Sequence, residues 1–218
     1  MLIVIIFAPL SFYLYNFNFY NRLYEKNGVY DVLDRNDVAD LTENVYDFFK
    51  YKRDFEPFKL KNGTEYFNSN EISHLDDVRI LLRNIFIVFY VCLFLLLATL
   101  IALIDRNLAV FFKNISIIAV ISSSVMLFIL IMLYFFGNNF ISLFENFHYV
   151  FFPQGNWAFP EGSLIITIFP FGFFYDFFFR LLLSSLLISI ILLFAGVAGI
   201  ILSNWKIRRK TLKTVGVK

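Results

Sequence analysis

Four apolar runs, each near the length of a membrane span, set the rhythm of this chain. Residues 1–20 carry no charge, although Pro9, Asn16 and Asn18 loosen the run. Residues 80–104 hold Arg83 one turn inside their start, where a long side chain reaches back to the surface. Residues 115–136 form the third run, and residues 181–203 the cleanest, with Gly196 and Gly199 placed for close helix packing. At about 1.5 Å rise per residue, about 20 residues cover roughly 30 Å of hydrocarbon. The pattern predicts an α-helical integral membrane protein, a four-transmembrane-helix bundle. The first run lacks both a basic start and a small-residue cleavage pattern, so it reads as a retained helix rather than a signal peptide.

The intervening segments have a different texture. Residues 21–79 read as a small mixed α/β extracytoplasmic cap. Asp37 or Asp40 can cap a helix that runs through Val45, Phe48 and Phe49 to about Lys52. Asn62-Gly63, flanked by alternating residues between Phe58 and Phe67, predicts a hairpin, because both central positions need positive φ. A further helix begins between Ser69 and Ser73, capped by Ser73 with Asp76 or by Asn70 a turn earlier, and continues into the second run. Spacing of three places Glu71, His74 and Asp77 on one of its faces. In residues 137–180, Pro153, Pro160 and Pro170 preclude one continuous helix. Leu164–Phe171 is too short to span and is expected to lie along the interface or to dip in and return, with Trp157 in the headgroup layer.

Composition strengthens the membrane reading. Hydrophobic residues make up 59% and charged residues 17%, against roughly 45–50% and about 25% in soluble chains. Disorder and a disulfide scaffold are excluded, the latter because Cys92 stands alone. A net charge of +2 speaks against a nucleic-acid partner. The basic excess is local: Lys206, Arg208, Arg209, Lys210, Lys213 and Lys218 fill the tail 204–218, and Arg106 and Lys113 lie in the connection 105–114. Of seventeen acidic residues, thirteen fall in 21–79 and three in 137–180. The basic segments belong in the cytoplasm, which places both termini inside and both acidic segments outside. Any site is expected in that outer compartment.

Histidine occurs only at His74 and His148, one in each outer segment. A facing pair can share general-base and general-acid work; equally, one can cap a helix while the other rests at the interface. A metal centre would need a third ligand such as Asp77 or Glu145, and the spacing is not that of a metal site, so neither metal nor other cofactor is expected. Glu71 and Asp77 either orient His74 or serve as acids favoured in a helix's first turn. Asp176 and Arg180, four apart, suit a structural ion pair. Ser122, Ser123 and Ser124 suit helix packing, and Cys92 has no base at its depth.

Glu71-Ile-Ser-His74-Leu-Asp-Asp77-Val78-Arg79, leading into a span, resembles a signature of the lipoprotein intramolecular transacylase (Lit) family of bacterial membrane proteins. A second stretch is similar too: Phe147-His148, Phe151-Phe152, Trp157, Leu164-Ile165, Phe169-Pro170 and Asp176, in that order. The likeness covers the whole chain. It departs from the family pattern where acidic residues often follow the tryptophan and the Phe-Pro pair; here those stretches offer only Glu161 and Phe171.

The resemblance implies a multi-pass protein of the bacterial cell membrane with its active site on the extracytoplasmic face. It implies an enzyme that moves the sn-2 acyl chain of a diacylglyceryl lipoprotein onto the α-amino group of its N-terminal cysteine. His74 and His148 would be catalytic, Glu71, Asp77 and Arg79 supporting, and Tyr149, Trp157, Phe169 and Asp176 would meet substrate or interface. Partners would be the lipoprotein N-terminus and membrane lipid. A non-enzymatic docking protein and an intermolecular lipid acyltransferase are the competing readings.

Overall fold

A computed structural model describes residues 1–52, 67–104 and 107–215. The described residues form helices α1 (Leu2–Leu14), α2 (Phe17–Lys26), α3 (Val29–Val32), α4 (Arg35–Phe49), α5 (Ser69–Ala102), α6 (Leu108–Gly137), α7 (Phe140–Phe151), α8 (Leu164–Ile168) and α9 (Phe171–Val215). No strand occurs among them. The mixed α/β expectation rested on the Asn62-Gly63 hairpin, which lies outside the described residues, as do Arg106 and the side chains of Lys213 and Lys218.

Among the described residues, three helices are long and apolar enough to cross a membrane: Ser69–Ala102, Leu108–Gly137 and Phe171–Leu212. A fourth span arises if α1 and α2, bent 76° at their junction, are counted as one. The first apolar run is therefore not one straight helix. Asn16 takes extended backbone and its side chain accepts from the Phe19 N–H at 3.0 Å, capping α2 and ending α1.

The chain divides into two compact units. The first comprises Met1–Leu10, Val88–Phe135 and Leu181–Lys218. Its large side chains point outward: Phe94, Ile101, Phe128, Phe135, Phe194 and Ile201 are all exposed, the inverse of a soluble protein and the surface that lipid tails would cover. Within it, α6 and α9 approach through their small residues. A Cβ on Gly196 would stand 2.9 Å from the Ser116 carbonyl oxygen, a backbone atom, and one on Gly199 would stand 2.1 Å from Ser116 Oγ and force that hydroxyl to turn away. Buried Ser123 donates back to the Ala119 carbonyl at 2.7 Å, a packing role with no nucleophile in it.

The second unit, Ser11–Ile87 with Phe136–Arg180, holds the water-soluble type of core. Helix α4 buries Val38, Leu41, Thr42, Val45, Tyr46 and Phe48, a stripe at helical spacing. Its cap is Asp34, which accepts from Asn36 and Asp37, and not Asp37 or Asp40; those two lie inside the helix, which ends at Phe49. The stripe packs with Tyr20, Leu23 and Tyr24 of α2 and with Ile165 and Ile168 of α8. Tyr24 Oη donates to Thr42 Oγ1 at 2.9 Å, while Thr42 donates to the Val38 carbonyl, so these two buried hydroxyls satisfy one another and the backbone. Within Leu164–Phe171, α8 contributes Ile165 and Ile168 to this core, and Pro170 breaks the chain before α9.

Candidate functional site

All the chemistry-bearing side chains singled out above belong to the second unit. They are placed by two helix starts, one helix end and one loop.

Helix α5 begins one residue after Asn68, whose Oδ1 accepts from the Asn70 and Glu71 N–H groups at 3.0 and 3.1 Å. Glu71 Oε2 in turn accepts from the Asn68 N–H at 2.7 Å, a reciprocal capping box. The cap is Asn68, not Ser73 or Asn70. Glu71 is also 2% exposed, and its Oε1 accepts from the Ile165 N–H at 3.0 Å. One carboxylate thus ties the first turn of α5 to the first turn of α8. These bonds fix the two elements to one another.

His74 follows one turn later and is buried. His148 is reached from the other direction. On α7, Phe140, Phe144 and His148 recur at spacing of four and share a face. His148 Nδ1 lies 2.7 Å from the Phe144 carbonyl oxygen. A carbonyl only accepts, so Nδ1 carries the proton in the neutral ring and Nε2 keeps the lone pair. The two imidazole centroids stand 5.9 Å apart with planes 26° from parallel.

The loop after α7 encloses both rings. Phe152 meets His74 edge-on at 4.8 Å, Phe159 meets it at 5.6 Å, and Trp157 lies 4.8 Å from His148. Asp77 holds this loop: its Oδ2 accepts from Gln154 Nε2 and Asn156 Nδ2, each at 2.7 Å. Asn156 Nδ2 also reaches Ser73 Oγ at 3.2 Å. Sequence reasoning did not single out Gln154 or Asn156. Two amides in an otherwise aromatic and proline-broken loop were the available signal.

The electrostatics follow from this packing. Both histidines precede or stand apart from the long apolar stretches. Burial first, and the neighbouring imidazole second, push His74 down from 6.5 to about 4, against an opposing pull from Asp77. Burial lowers His148 as well, opposed by its bond to the Phe144 carbonyl. Both rings are neutral at neutral pH, ready to accept a proton.

The remaining expected residues disperse. Arg79 pairs with Asp76 and lies over the Phe48 and Tyr51 rings, at 4.0 and 4.6 Å, turned toward α4. Asp176 does not pair with Arg180. It accepts from Lys26 Nζ at 2.6 Å and from Asn27 Nδ2 at 3.1 Å, partners 150 and 149 residues away. Phe169 packs in the core against Tyr24 and Phe173. Tyr149 stays beside the site, edge-on to Trp157 at 5.2 Å. Three polar atoms of the site are buried with no hydrogen-bond partner among the described residues: His74 Nδ1, Asn156 Oδ1 and Trp157 Nε1.

Comparison with known proteins places this geometry. The family model described as lipoprotein intramolecular transacylase Lit matches residues 1–174. An uncharacterised protein of Aquifex aeolicus is 30% identical over 150 residues, or 69% of this chain; the chain spans 65% of that relative's length. Among solved structures, the membrane integral lipoprotein intramolecular transacylase Lit from Bacillus cereus aligns over 97% of this chain and 92% of its own. The TM-score is 0.60 at 19% identity, a likeness of fold.

Proposed function

Since the chain belongs to the lipoprotein intramolecular transacylase (Lit) family, an acyltransferase family, we propose that it moves the sn-2 acyl chain of a diacylglyceryl lipoprotein onto the α-amino group of the N-terminal cysteine. The product is an N-acyl, lyso-glyceryl lipoprotein. The observation that carries the reading is the convergence of the chain's two histidines, from helices far apart in sequence, to 5.9 Å within one aromatic enclosure.

Donor ester and acceptor amine sit on one substrate molecule. Counting amine nitrogen, Cα, Cβ, sulfur, two glyceryl carbons, ester oxygen and carbonyl carbon, attack closes an eight-membered ring. Such a ring is entropically awkward, so restricting conformation is the main service a protein can render; good orientation equals an effective concentration of about 10⁵–10⁸ M. A free α-amine has a pKa of about 7.7–8.0 and must lose a proton to become an amide. His148, with Nδ1 committed to the Phe144 carbonyl, offers Nε2 as the base that removes it, worth about 10²–10⁴-fold. That proton passes from His148 to His74, which delivers it to the departing glyceryl oxygen, so both rings end neutral. Two imidazoles this close do not hold two protons together, so the transfers run in sequence. No acyl-enzyme is needed, and Ser73, whose Oγ accepts from Asn156 Nδ2, serves the loop in this scheme.

The spans number four in this reading, with α1 and α2 together forming the first, the basic tail in the cytoplasm and the histidines on the extracytoplasmic side of a bacterial cell membrane. Mass spectrometry of lipoprotein N-termini tests the reaction. His74→Ala and His148→Ala should each abolish the lyso-form and leave diacylglyceryl lipoprotein with a free amine. The double variant should be little worse than either single, because the two rings act as a unit. Near-normal N-acylation by both single variants would refute the mechanism and bring back the docking-protein reading.

A further inference from the structure

The site carries two orphaned polar atoms that the acid–base scheme does not use. Trp157 Nε1 is a donor only, and it is buried with no partner among the described residues. Asn156 Oδ1 is an acceptor in the same condition. The orientation of that amide is fixed by its other end, because Nδ2 donates to Asp77 Oδ2 and Ser73 Oγ, leaving the carbonyl oxygen as the unmatched atom. Leaving a buried polar group unmatched is costly, and a site tolerates that where a substrate supplies the partner. The donor lies on the ring that packs against His148 at 4.8 Å. The acceptor is the preceding residue, tied to the turn of α5 that bears His74.

We propose that Trp157 Nε1–H is the electrophilic donor to the carbonyl oxygen of the ester under attack, and that Asn156 Oδ1 holds the attacking amine by one of its N–H bonds. One donor and one acceptor beside two neutral imidazoles complement a single species: a tetrahedral carbon bearing an oxyanion and a new C–N bond. The amine lone pair forms the C–N bond, the C=O π pair moves onto oxygen beneath the indole N–H, and His148 takes the ammonium proton. The oxyanion pair then re-forms C=O, the proton on His148 passes to His74 as the C–O bond to glycerol breaks, and His74 hands it to the glyceryl oxygen, which leaves both imidazoles neutral again. This rests on the transacylase reading and names two residues that the histidine scheme leaves out.

Three measurements on the full chain in lipid test it. Trp157→Phe keeps an aromatic ring beside His148 and removes the N–H; kcat should fall about 10²–10³-fold, while affinity for a dialkylglyceryl cysteinyl peptide, which has no ester carbonyl, stays unchanged. Asn156→Ala should erase the preference for a free-amine diacylglyceryl cysteinyl peptide over its des-amino counterpart, where a merely loosened loop would weaken both equally. In a Trp205→Phe background, with its single ¹⁵N-labelled indole, an N-acetylated diacylglyceryl cysteinyl peptide should move the indole proton downfield, and the dialkyl ether form should not. An unmoved indole proton, or Trp157→Phe retaining kcat within about threefold, overturns the inference while leaving the transacylase reading in place. Failure of the unaltered protein to N-acylate the diacyl peptide overturns both.

Discussion

At the scale of single residues, the proposed chemistry depends on keeping two imidazoles uncharged in an aromatic enclosure. His74 titrates at about 4 in the fold and near 6.5 when unfolded. Between those values the unfolded chain binds more protons, so stability rises with pH across that window. The contribution is complete above 6.5 and is lost as pH falls through 4. Acidifying the detergent-solubilised protein from pH 7 to 4 should therefore lower its unfolding free energy by an amount on the order of 2 kcal/mol, read as a lower thermal midpoint. His74→Gln, which never charges, should flatten that part of the profile. A profile of unchanged slope in the variant would show that other groups govern the acid limb. The same depression predicts that the acid limb of turnover follows the substrate's amine, near 7.7–8.0, and not a histidine near 6.5.

At the scale of elements, two carboxylates do different work from the one spacing suggested. A period of three along α5 put Glu71, His74 and Asp77 on a common face, and that much was legible, because local periodicity is a property of the segment itself. Where each acid found its hydrogen-bond donors was not. Glu71 meets the Ile165 N–H across 94 residues, and Asp77 meets Gln154 and Asn156 across 77 and 79. Partners that distant are set by tertiary packing, which no periodicity encodes. The same limit explains Asp176, assigned by spacing to Arg180 and found on Lys26. It also explains the cap of α5, where Asn68 and Ser73 are equally good residues until the chain direction before them is known.

The roles can be separated by substitution. Glu71→Gln keeps the shape but has only one accepting oxygen for two backbone N–H groups, which should cost about 1–3 kcal/mol in unfolding experiments. Asp77→Asn retains one acceptor and should be milder toward activity than either histidine substitution. Asp77→Leu should free the Gln154–Trp157 loop, red-shifting Trp157 fluorescence in a Trp205→Phe background. Unchanged emission in Asp77→Leu would mean that the loop is held by its aromatic contacts alone.

At the scale of the whole molecule, the apolar runs read most easily, because a span is a long, one-signed signal. Three runs coincide with the long helices α5, α6 and α9, although each helix outruns the stretch assigned to it. Helix α9 begins at Phe171, ten residues before the expected start, and at 45 residues is about 68 Å long, roughly twice what hydrocarbon requires. The excess at its end is the basic tail, where the Arg209 guanidinium stacks 3.7 Å from the Trp205 ring, an aromatic–basic pairing suited to a headgroup layer. The first run was the hardest to read, since Asn16 is a weak break by composition and becomes decisive only as a cap. If α1 and α2 together form the first span, the number of crossings is even and both termini share the cytoplasm. In a Cys92→Ala background, a cysteine introduced at Lys61 should then react with an impermeant thiol reagent in intact cells, and one at Lys213 should react only after permeabilisation. Labelling at Lys213 in sealed cells would leave three crossings or an inverted chain, and would move the histidine pair away from the face where lipoproteins are matured.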